Sequence, residues 1–595
     1  PSTVRIATAG GAVGNNATGA HSILYGMAGD NVESAKMLLD GGTIELSALT
    51  ENELETRSKD GGAAGMLFKN LSRLREKYGE AIRNDFPKHW RRASGYSLNY
   101  LLESPFNPSK LLAASEGTLG IATEYTLRLV PRPAHTGLVI LQFGSIIAAM
   151  EAVPGILAQA PSAIELIDSM LISLTRAHAG FSRMLSFVEG EPDAILVVEF
   201  YGVSEDEVKK KAENLVSVLG NGGVGCGINL ALGASEQANV WGVRRAGLGI
   251  MMSRRNEYKP IPCIEDVSVP VETLPGYVRD VSELIKRLGT AAGFYGHASA
   301  GCLHIRPLVN LKSVKGVMMM KELMDEAFKL ALRYGGVMSG EHGDGIQRSY
   351  LNKRLFGPVL YEAMRELKAA FDPQGLFNPG KVVDSGSPLE NLRYDNKSAA
   401  YEIRTGLDWS ADGGFTEAVG MCNGQGVCRK LGEGIMCPSF MATRDERDTT
   451  RARANALRAV LSGRLGGDSL YGSDMYGVFD LCISCKACKT ECPSKVDAAK
   501  MKTEFLSHYH GKNGMSLRDR MFSGIHGASR AASFAPGLSN ALTGNPVTRL
   551  LLSRLGIHPA RTLPKLTGQN FTEWFYGRTK RVGASGKKVV FFHDT

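Results

Sequence analysis

Four cysteines near residue 490 have the spacing of an iron–sulfur ligand run. They are Cys482, Cys485, Cys488 and Cys492, and Pro493 follows the last of them. In the C-x2-C-x2-C-x3-C-P run of bacterial ferredoxins, the first three thiolates bind one cluster and the fourth binds the other cluster. The spacing therefore predicts a [4Fe–4S] site. A structural zinc ion is the alternative because it needs only four thiolates, but the compact triple favours the cluster.

An irregular group of cysteines lies upstream of this run. It consists of Cys422, Cys428 and Cys437, the last of which precedes a proline. By the same crossover, Cys437 should complete the cluster of the downstream triple. Cys422, Cys428 and Cys492 are then left for a second site with three thiolates. That site would hold a [3Fe–4S] cluster or a [4Fe–4S] cluster with a non-cysteine ligand, or it is degenerate; we favour two clusters.

Three histidines and a glutamate indicate a second kind of metal centre. His297 and His304 stand seven residues apart among glycines, and Glu341 and His342 follow within another Gly-rich turn. Two imidazoles and a carboxylate leave positions open on a divalent metal, for which we expect zinc or manganese. Such a metal can bind the hydroxyl and carboxylate oxygens of a 2-hydroxy acid, while His342 takes the hydroxyl proton and hydride leaves C2 for a flavin. Each histidine taken alone is more often structural, and only the combination favours a site.

Cations are also needed to hold the carboxylate of such a substrate, and arginine is the bidentate choice. Arg306 follows His304 by two residues, so on a strand both side chains would share a face. Arg348 follows the Glu341–His342 turn. Each is more often a surface arginine, but their positions near the histidines make both candidates for the catalytic site.

The histidine segments resemble the flavin-linked D-2-hydroxy-acid dehydrogenases, a family of the vanillyl-alcohol-oxidase-like flavoproteins. That family carries G-H-x-x-x-G-N-L-H and G-E-H-G-D/I-G, which residues 296–304 and 340–345 match, with Cys302 where Asn is common. Trp241-Gly-Val-Arg244 resembles the family's W-x-x-R, whose arginine binds substrate carboxylate. The resemblance implies that the metal ligands are His297, His304 and Glu341, that the base is His342, and that Arg244 holds substrate.

Three further segments resemble the flavin-binding half of the same family. Residues 10–26 resemble its G-G-x-x-x-N-x-x-G…Y-G loop, residues 114–121 its S-E-G-T-L-G turn, and residues 377–381 the segment that returns beside the flavin. Small residues let backbone N–H groups reach a pyrophosphate, and Asn and Thr add hydrogen bonds. The resemblance assigns FAD binding to Gly10, Gly11, Asn15, Asn16, Thr18, Gly19, Ser22, Tyr25, Gly26, Glu116, Gly117, Thr118, Gly120, Ile121, Asn378 and Lys381. A Rossmann unit is not indicated, since no strand–GxGxxG–helix segment occurs.

The elements that must position these residues suggest an α+β protein with four regions. We expect the C-terminal part of a PCMH-type FAD-binding domain at 1–135, truncated at its start, and an α+β substrate (cap) domain at 136–385. A helical ferredoxin-like iron–sulfur domain at 386–515 should follow, and 516–595 reads as a basic helical linker with the start of a truncated cysteine-rich domain at 587–592. Within the cap region, apolar runs predict strands at 138–141 and 194–198, and helical periodicity predicts helices at 205–219 and 314–334.

Composition narrows the class of protein. The chain has 595 residues, of which 43% are hydrophobic and 22% charged, as in globular domains, and it contains no apolar run long enough for a transmembrane helix. Seven of the ten cysteines fall between 422 and 492, which favours metal binding in a reducing, cytoplasmic compartment over a disulfide framework.

The net charge of +9 comes from residues 516–595, with 12 Lys/Arg against 3 Asp/Glu. This stretch is a solvated face or a contact with a further domain, or alternatively it docks on an anionic membrane surface. A nucleic-acid partner is not indicated.

These features together predict FAD-dependent oxidation of a D-2-hydroxy acid, with electrons leaving through iron–sulfur clusters to a quinone or a protein acceptor. Several positive groups favour a dicarboxylate, so the conversion of D-2-hydroxyglutarate to 2-oxoglutarate is the preferred interpretation. D-lactate or glycolate dehydrogenase activity is the first alternative. An electron-transfer subunit with a vestigial flavin site is the second, and a scaffold with structural zinc is the third.

Overall fold

The computed structural model describes residues 7–39, 42–178, 180–220, 227–393, 403–432, 434–558 and 560–578. The chain divides into two compact units. The first comprises residues up to 467 together with 477–502, and the second comprises 468–476 and the residues from 503 onward. The strand predicted at 587–592 lies outside the described residues.

Two antiparallel sheets form the first unit. The smaller consists of β1 (Val32–Leu39), β2 (Gly42–Ser47) and β3 (Ile121–Leu127), with β1 in the centre. The strands of the larger sheet are β4 (His135–Phe143), β5 (Ala163–Asp168), β6 (Ala194–Gly202), β7 (Gly227–Ala231), β8 (Lys259–Pro260), β9 (Val267–Ser268), β10 (Ala292–His297) and β11 (Cys302–Val309). Their order is β7-β4-β6-β5-β10-β11-β8, and β9 also pairs with β11. The strands predicted at 138–141 and 194–198 are confirmed as parts of β4 and β6.

Twelve helices precede residue 372 among the described residues. They are α1 (Ala9–Gly14), α2 (Ser22–Tyr25), α3 (Glu51–Ser58), α4 (Gly62–Asp85), α5 (Ile146–Leu157), α6 (Ser169–Arg176), α7 (Glu205–Leu219), α8 (Ala234–Met252), α9 (Leu274–Arg287), α10 (Val314–Arg333), α11 (Gly345–Arg348) and α12 (Asn352–Phe371). The helix predicted at 205–219 is confirmed as α7. The helix predicted at 314–334 is α10, which ends one residue earlier.

The large sheet is buried on both faces, which explains its continuous apolar strands. In β4, Val139 and Leu141 pack into a core with α5, α7, α9 and α10. The alternate residues Leu138 and Ile140 pack into a second core with α6 and α8. Because successive side chains of a strand point to opposite faces, a strand between two helical layers needs apolar residues at every position. β10 is buried in the same way, with residues in both cores.

A separate core joins the first part of the chain to a much later helix. Leu67, Leu71 and Leu74 of α4 are buried together with Leu360 and Leu367 of α12. The apolar residues of each helix recur at intervals of three and four, which places them on one face. Residues 352–371 therefore complete the core that surrounds the small sheet.

The remaining described residues are helical or irregular, and none of them forms a strand. The helices are α13 (Phe415–Gly420), α14 (Pro438–Thr443), α15 (Thr450–Leu461), α16 (Ser473–Asp480), α17 (Ala487–Glu491), α18 (Ala498–Asn513), α19 (Leu517–Ser523), α20 (Ile525–Ala532), α21 (Pro536–Gly544), α22 (Pro546–Arg554) and α23 (Phe571–Gly577). This agrees with the helical character predicted for 386–515 and for the basic stretch. Over the described residues, no helix is both long enough and apolar enough to cross a membrane.

Candidate functional site

The hairpin of β10 and β11 in the large sheet positions His297 and His304. His297 is the last residue of β10 and lies opposite Cys302, and His304 lies in β11 opposite Tyr295. The turn between the strands contains Gly301 at φ +64°, where a Cβ atom would lie 1.8 Å from the carbonyl oxygen of Val269. Only glycine fits such a position. The resulting tight turn leaves the two imidazole rings 5.3 Å apart between centroids, almost perpendicular to each other.

The loop after α10 brings Glu341 and His342 against this hairpin. Asp266, which is buried, holds the loop by accepting hydrogen bonds from the backbone N–H groups of Glu341 (3.0 Å) and His342 (2.7 Å). The same carboxylate accepts from the Ser339 hydroxyl at 2.6 Å, and the Cys302 thiol donates to its other oxygen at 3.3 Å. Cys302 thus provides a polar contact at the position where asparagine is common in the family.

Three imidazoles surround one carboxylate oxygen. The Nε2 atoms of His297, His304 and His342 each lie 3.2 Å from Glu341 Oε1. The ligand atoms of His304, His342, Glu341 and Asp266 all lie within 4.8 Å of one another, as in a group that could hold a metal ion. Since the Asp266 oxygens already accept from several donors, we assign Asp266 to support of the loop and not to the ligand set.

Buried acidic side chains hold the histidines from behind. His297 Nδ1 lies 2.5 Å from Glu165 Oε1, and the other oxygen of Glu165 accepts a hydrogen bond of 2.7 Å from Arg244 Nε. His342 Nδ1 lies 3.3 Å from Glu265 Oε1. In metal sites, a carboxylate behind the imidazole fixes the ring and turns the other nitrogen toward the metal. The arrangement aims the Nε2 atoms of His297 and His342 at Glu341.

The protonation states suit a metal-binding carboxylate with neutral imidazole beside it. Burial lowers the pKa of His304 to about 4, which leaves it neutral near pH 7. Burial raises the pKa of Glu341, but His297 and Arg91 outweigh this effect and bring the pKa well below its ordinary value. Arg91 Nη2 donates to Glu341 Oε2 at 2.9 Å. An ionised carboxylate with several imidazoles is a donor set that fits zinc or manganese.

The pKa of His342 is raised well above its ordinary value. Burial lowers it, but the carboxylates of Asp266 and Glu265 outweigh burial. The pKa of His297 is also raised, since Glu165 and Glu341 offset the effect of burial. Of the three histidines, His342 is the most exposed, with 36% of its side chain accessible, so it is the one best placed to meet a ligand.

The predicted arginines differ in their placement. Arg244 and Arg306 both lie against the ring of Tyr295, with their guanidinium carbons 5.0 Å and 5.9 Å from its centroid. Arg306 also pairs with Glu265 and donates to the Tyr295 hydroxyl at 3.0 Å. Arg348 instead donates two hydrogen bonds, of 2.9 Å and 2.7 Å, to the carbonyl oxygen of Gly343. The structure therefore brings Arg244 and Arg306 together beside the histidines and uses Arg348 to brace the turn.

The three segments predicted to bind FAD meet at the Glu341 turn. Asn15 Nδ2 donates to the carbonyl oxygen of Glu341 at 2.5 Å. Glu116 accepts hydrogen bonds from the backbone N–H groups of Asp344 (2.6 Å) and Gly345 (2.9 Å), and Asn378 Nδ2 donates to the carbonyl of Glu116 at 2.7 Å. The segments from residues 10–26, 114–121 and 377–381 thus form one continuous surface next to the histidines.

Several side chains in these segments make contacts internal to the fold. Asn16 Oδ1 accepts from the backbone N–H of Gly29 at 2.8 Å, and the Thr18 hydroxyl donates to the carbonyl of Gly26 at 2.8 Å. The Thr118 hydroxyl donates to the carbonyl of Ser115 at 2.6 Å. These polar side chains shape the loops, which leaves the backbone groups of the glycines as the surface that a pyrophosphate would meet.

Sequence analysis missed the residues that support the histidines. They are Arg91, Glu165, Glu265, Asp266 and Tyr295. Glu165 could have been found, because it is a carboxylate inside the apolar strand Ala-Ile-Glu-Leu-Ile-Asp. Glu265 and Asp266 likewise interrupt an apolar run between Ile264 and Val267. A buried charge in such a run needs a partner, and that requirement marks a candidate site.

The cysteines form two groups in the helical region. The first group lines one cleft and consists of Cys437, Cys482, Cys485 and Cys488. In the second group, burial and, to a smaller extent, Cys422 and Cys492 raise the pKa of Cys428 to about 12. Burial also raises the pKa of Cys492 to about 11. Cys492 therefore lies near Cys428 and also interacts with Cys488 of the first group.

Comparison with known proteins gives three family matches. Residues 132–382 match the C-terminal domain of FAD linked oxidases, residues 1–47 match an FAD binding domain, and residues 421–497 match a 4Fe-4S dicluster domain. These matches confirm the predicted α+β flavoprotein fold with a helical iron–sulfur region. They also support FAD and an iron–sulfur cluster as cofactors.

Related proteins match over most of the chain. A D-2-hydroxyglutarate dehydrogenase of Pseudomonas putida is 30% identical, over 93% of this chain and 59% of the relative. A D-2-hydroxyglutarate dehydrogenase of Pantoea ananatis is 27% identical, over 92% of this chain and 58% of the relative. A D-lactate dehydrogenase of Archaeoglobus fulgidus is 28% identical, over 63% of this chain and 70% of the relative. The chain spans about three fifths of the length of the first two relatives.

Proposed function

We propose that this chain, which carries the C-terminal domain of the FAD linked oxidases and a 4Fe-4S dicluster domain, is part of an FAD-dependent D-2-hydroxy-acid dehydrogenase. The observation that carries the proposal is the convergence of three imidazoles on Glu341 Oε1, next to Arg244 and Arg306. The names of the D-2-hydroxyglutarate dehydrogenases among the relatives favour D-2-hydroxyglutarate as the substrate.

The residues of the chain divide the chemical work among themselves. We assign the metal to His297, His304 and Glu341, and FAD to the backbone of the Gly-rich segments. When bound, FAD accepts hydride, and a divalent metal polarises the substrate hydroxyl and lowers its pKa. We assign His342 as the base that takes the hydroxyl proton at Nε2, since Glu265 lies against its Nδ1 and it is the most exposed of the three histidines.

Arg244 and Arg306 are proposed to hold the substrate carboxylates. Arg244 contacts Glu165 through Nε, which leaves its two Nη groups directed elsewhere and suited to a bidentate carboxylate. Arg306 lies two residues beyond His304 on the same strand face. Two arginines beside one tyrosine ring match the two carboxylates of a 2-hydroxy dicarboxylic acid.

Oxidation of a monocarboxylic acid, D-lactate or glycolate, is the second candidate. It is favoured by the pairing of Arg306 with the buried Glu265, since Arg244 is also paired with a buried carboxylate, that of Glu165, and the positive charge of the site is reduced. The D-lactate dehydrogenase among the relatives points the same way. The choice thus depends on whether Arg306 contacts substrate.

Electrons are proposed to leave through two clusters, one bound by Cys437, Cys482, Cys485 and Cys488 and the other by Cys422, Cys428 and Cys492. Their acceptor would be a quinone or an electron-transfer protein, and the protein would act in the cytoplasm. The described part of the basic stretch exposes large apolar side chains, among them Phe534 at 88% and Trp574 at 51%. Basic charge beside apolar side chains suits a peripheral contact with an anionic membrane.

The test is anaerobic reduction of the flavin in the whole protein. D-2-hydroxyglutarate should bleach the flavin absorbance, and the L enantiomer should not. If neither D-2-hydroxyglutarate nor D-lactate nor glycolate bleaches it, the proposed activity is wrong.

Two arginine variants then decide the substrate class. Arg306→Lys should raise the KM for D-2-hydroxyglutarate at least about tenfold and leave the KM for D-lactate unchanged, because a lysine lacks the planar fork that binds carboxylate bidentately. Arg244→Lys should raise the KM for both substrates. Its matched control is Arg245→Lys, the next residue on α8, whose side chain is exposed. Equal effects of Arg306→Lys on both substrates would contradict the dicarboxylate assignment.

A further inference from the structure

Arg453, in the first turns of α15, is a fully buried cation beside the first cysteine group. Its side chain has no accessible surface, and Nη1 donates to Cys437 Sγ at 3.4 Å. The same residue lines the cleft that contains Cys437, Cys482, Cys485 and Cys488. We propose that Arg453 sets the reduction potential of the cluster bound by these cysteines, acting through Cys437. The inference rests on the proposed ligand set and is independent of the substrate.

The guanidinium is held in place by contacts on several sides. Nη1 also donates to the carbonyl oxygen of Asp448 at 2.8 Å, Nη2 donates to the Ser439 hydroxyl at 3.1 Å, and Nε donates to the carbonyl of Val478 at 3.0 Å. The Asp448 carboxylate lies farther away, at 3.8 Å from Nη2. Most of the contacts are therefore with neutral oxygens. The buried Asp448 carboxylate offsets part of the positive charge, and the Nη1–H group acts on Cys437 Sγ directly through its hydrogen bond.

A fixed positive charge next to a ligand sulfur favours the reduced cluster. Reduction adds one electron to the cluster and makes the cluster and its thiolates more negative, while the ligand bonds stay intact. Hydrogen bonds to the sulfurs, local charge and burial are the features that set cluster potentials. Because Arg453 is out of contact with water, its charge is poorly screened. Arg453 should therefore raise the potential of this cluster.

Ser439 and Lys502 do not provide an equivalent donor. The Ser439 hydroxyl lies 3.4 Å from Cys437 Sγ, but it already donates to the carbonyl of Asp448 at 2.7 Å. Lys502 donates to the backbone carbonyl of Cys482 at 2.7 Å, so its contact is with the main chain and not with sulfur. Among the described contacts of the four ligand cysteines, Arg453 is the charged side chain that donates to sulfur.

The experiment is a redox titration of the whole, cluster-loaded protein with dithionite and mediators, in the absence of substrate. Electron paramagnetic resonance measures how much of each cluster is reduced at each potential. The parent is compared with Arg453→Lys and Arg453→Met. Arg447→Met is the control, since Arg447 belongs to the same segment and its side chain is exposed. Iron and sulfide contents show that each variant is loaded. Cys437→Ala assigns the signal, because it should remove one cluster and leave the other.

We expect Arg453→Met to lower the reduced-to-oxidised ratio of this cluster at least tenfold at a fixed potential, a shift of about 59 mV for one electron. Arg453→Lys, which keeps a charge, should give a smaller shift in the same direction, and Arg447→Met should give none. A loaded Arg453→Met protein with the parent's potential would overturn the inference. If the Arg453→Met protein does not bind its clusters, a cluster-loaded Arg453→Lys protein with the parent's reduction potential would overturn the inference. Retention of both clusters in the Cys437→Ala protein would also overturn the inference, because it would show that Cys437 is not a cluster ligand.

Discussion

Glu165 joins the candidate metal ligand His297 to the candidate substrate ligand Arg244. Its two oxygens are used on opposite sides, one at 2.5 Å from the imidazole and one at 2.7 Å from the guanidinium. Replacement by glutamine removes the negative charge that makes the imidazole a better ligand. We expect Glu165→Gln to weaken metal binding about 10- to 100-fold. Titration of the metal-free protein with zinc or manganese measures this effect.

The matched control for that change is Glu213→Gln. Glu213 lies on α7, and 59% of its side chain is accessible. It should leave metal affinity unchanged. Equal affinities of the parent and the Glu165→Gln protein would show that Glu165 has no part in the metal site.

His89 gives a prediction about stability and pH at a single residue. Its ring lies 2.7 Å from the Ser268 hydroxyl, and burial, helped by Arg92 and Arg91, lowers its pKa to about 4. The unfolded chain takes up this proton near the ordinary value of 6.5. Below that pH the unfolded state gains stability and the folded state does not, so folding stability falls until the pH reaches about 4. The loss amounts to about 3 kcal/mol.

His89→Gln should remove this loss, because glutamine does not titrate and its amide can still meet the Ser268 hydroxyl. Urea unfolding at several pH values between 4 and 7 measures the effect. The exposed His526→Gln change should leave the pH profile as it is in the parent. A variant at position 89 that loses stability as steeply as the parent would refute the assignment.

Residue types and local spacing predicted which side chains gather, but not what holds them there. His297 and His304 sit on one hairpin, so their spacing alone places them together. Glu341 and His342 share one turn for the same reason. Arg91 and Glu165 reach these residues from 250 and 132 positions away, and no local pattern encodes contacts of that range.

Among the elements, the β10–β11 hairpin imposes a tight geometric requirement. Gly301 has φ +64° and no room for a Cβ atom, whereas Gly289 has φ +70° and nothing within 4 Å of that position. Alanine at either site is strained by the left-handed backbone, at a cost of about 1 to 2 kcal/mol. Gly301→Ala must also push the hairpin away from Val269. We expect it to cost at least about 3 kcal/mol, and to weaken metal binding by displacing the histidines.

Urea unfolding and metal titration of both variants test this expectation. Gly289→Ala should show only the backbone cost and bind metal as the parent does. If the two variants are equally stable and bind metal equally well, the turn does not position the histidines.

The long buried strands could be predicted from the sequence and the two-residue strands could not, for a physical reason. The cores on both sides of β4 and β6 require apolar residues at every position, and such runs are easily recognised. β8 and β9 have two residues each, too few for any periodicity, and they exist because β11 offers them hydrogen bonds. The positions of β8 and β9 could therefore be predicted only after the position of β11 was known.

At the scale of the whole molecule, the site is assembled from distant parts of the chain. Asn15 near the start contacts the carbonyl of Glu341, and Glu116 holds the N–H groups of Asp344 and Gly345. The order of strands in the large sheet also departs from their order along the chain. Contacts of such long range slow folding, because the entropy of closing long loops opposes them. Family resemblance could anticipate this assembly, while composition and periodicity could not.

The packing of α12 against α4 makes a testable link between these distant parts. Leu360 is completely buried in the shared core, and Val359 beside it is 52% exposed. Leu360→Ala leaves a cavity and should cost about 2 to 5 kcal/mol. Because α4 buries its leucines against the same core, the cost should appear as faster hydrogen exchange in residues 62–85, which lie far away in sequence. Exchange mass spectrometry measures it, with Val359→Ala as the matched control that should change nothing. If faster exchange were confined to α12, then α4 would draw its stability from the small sheet alone.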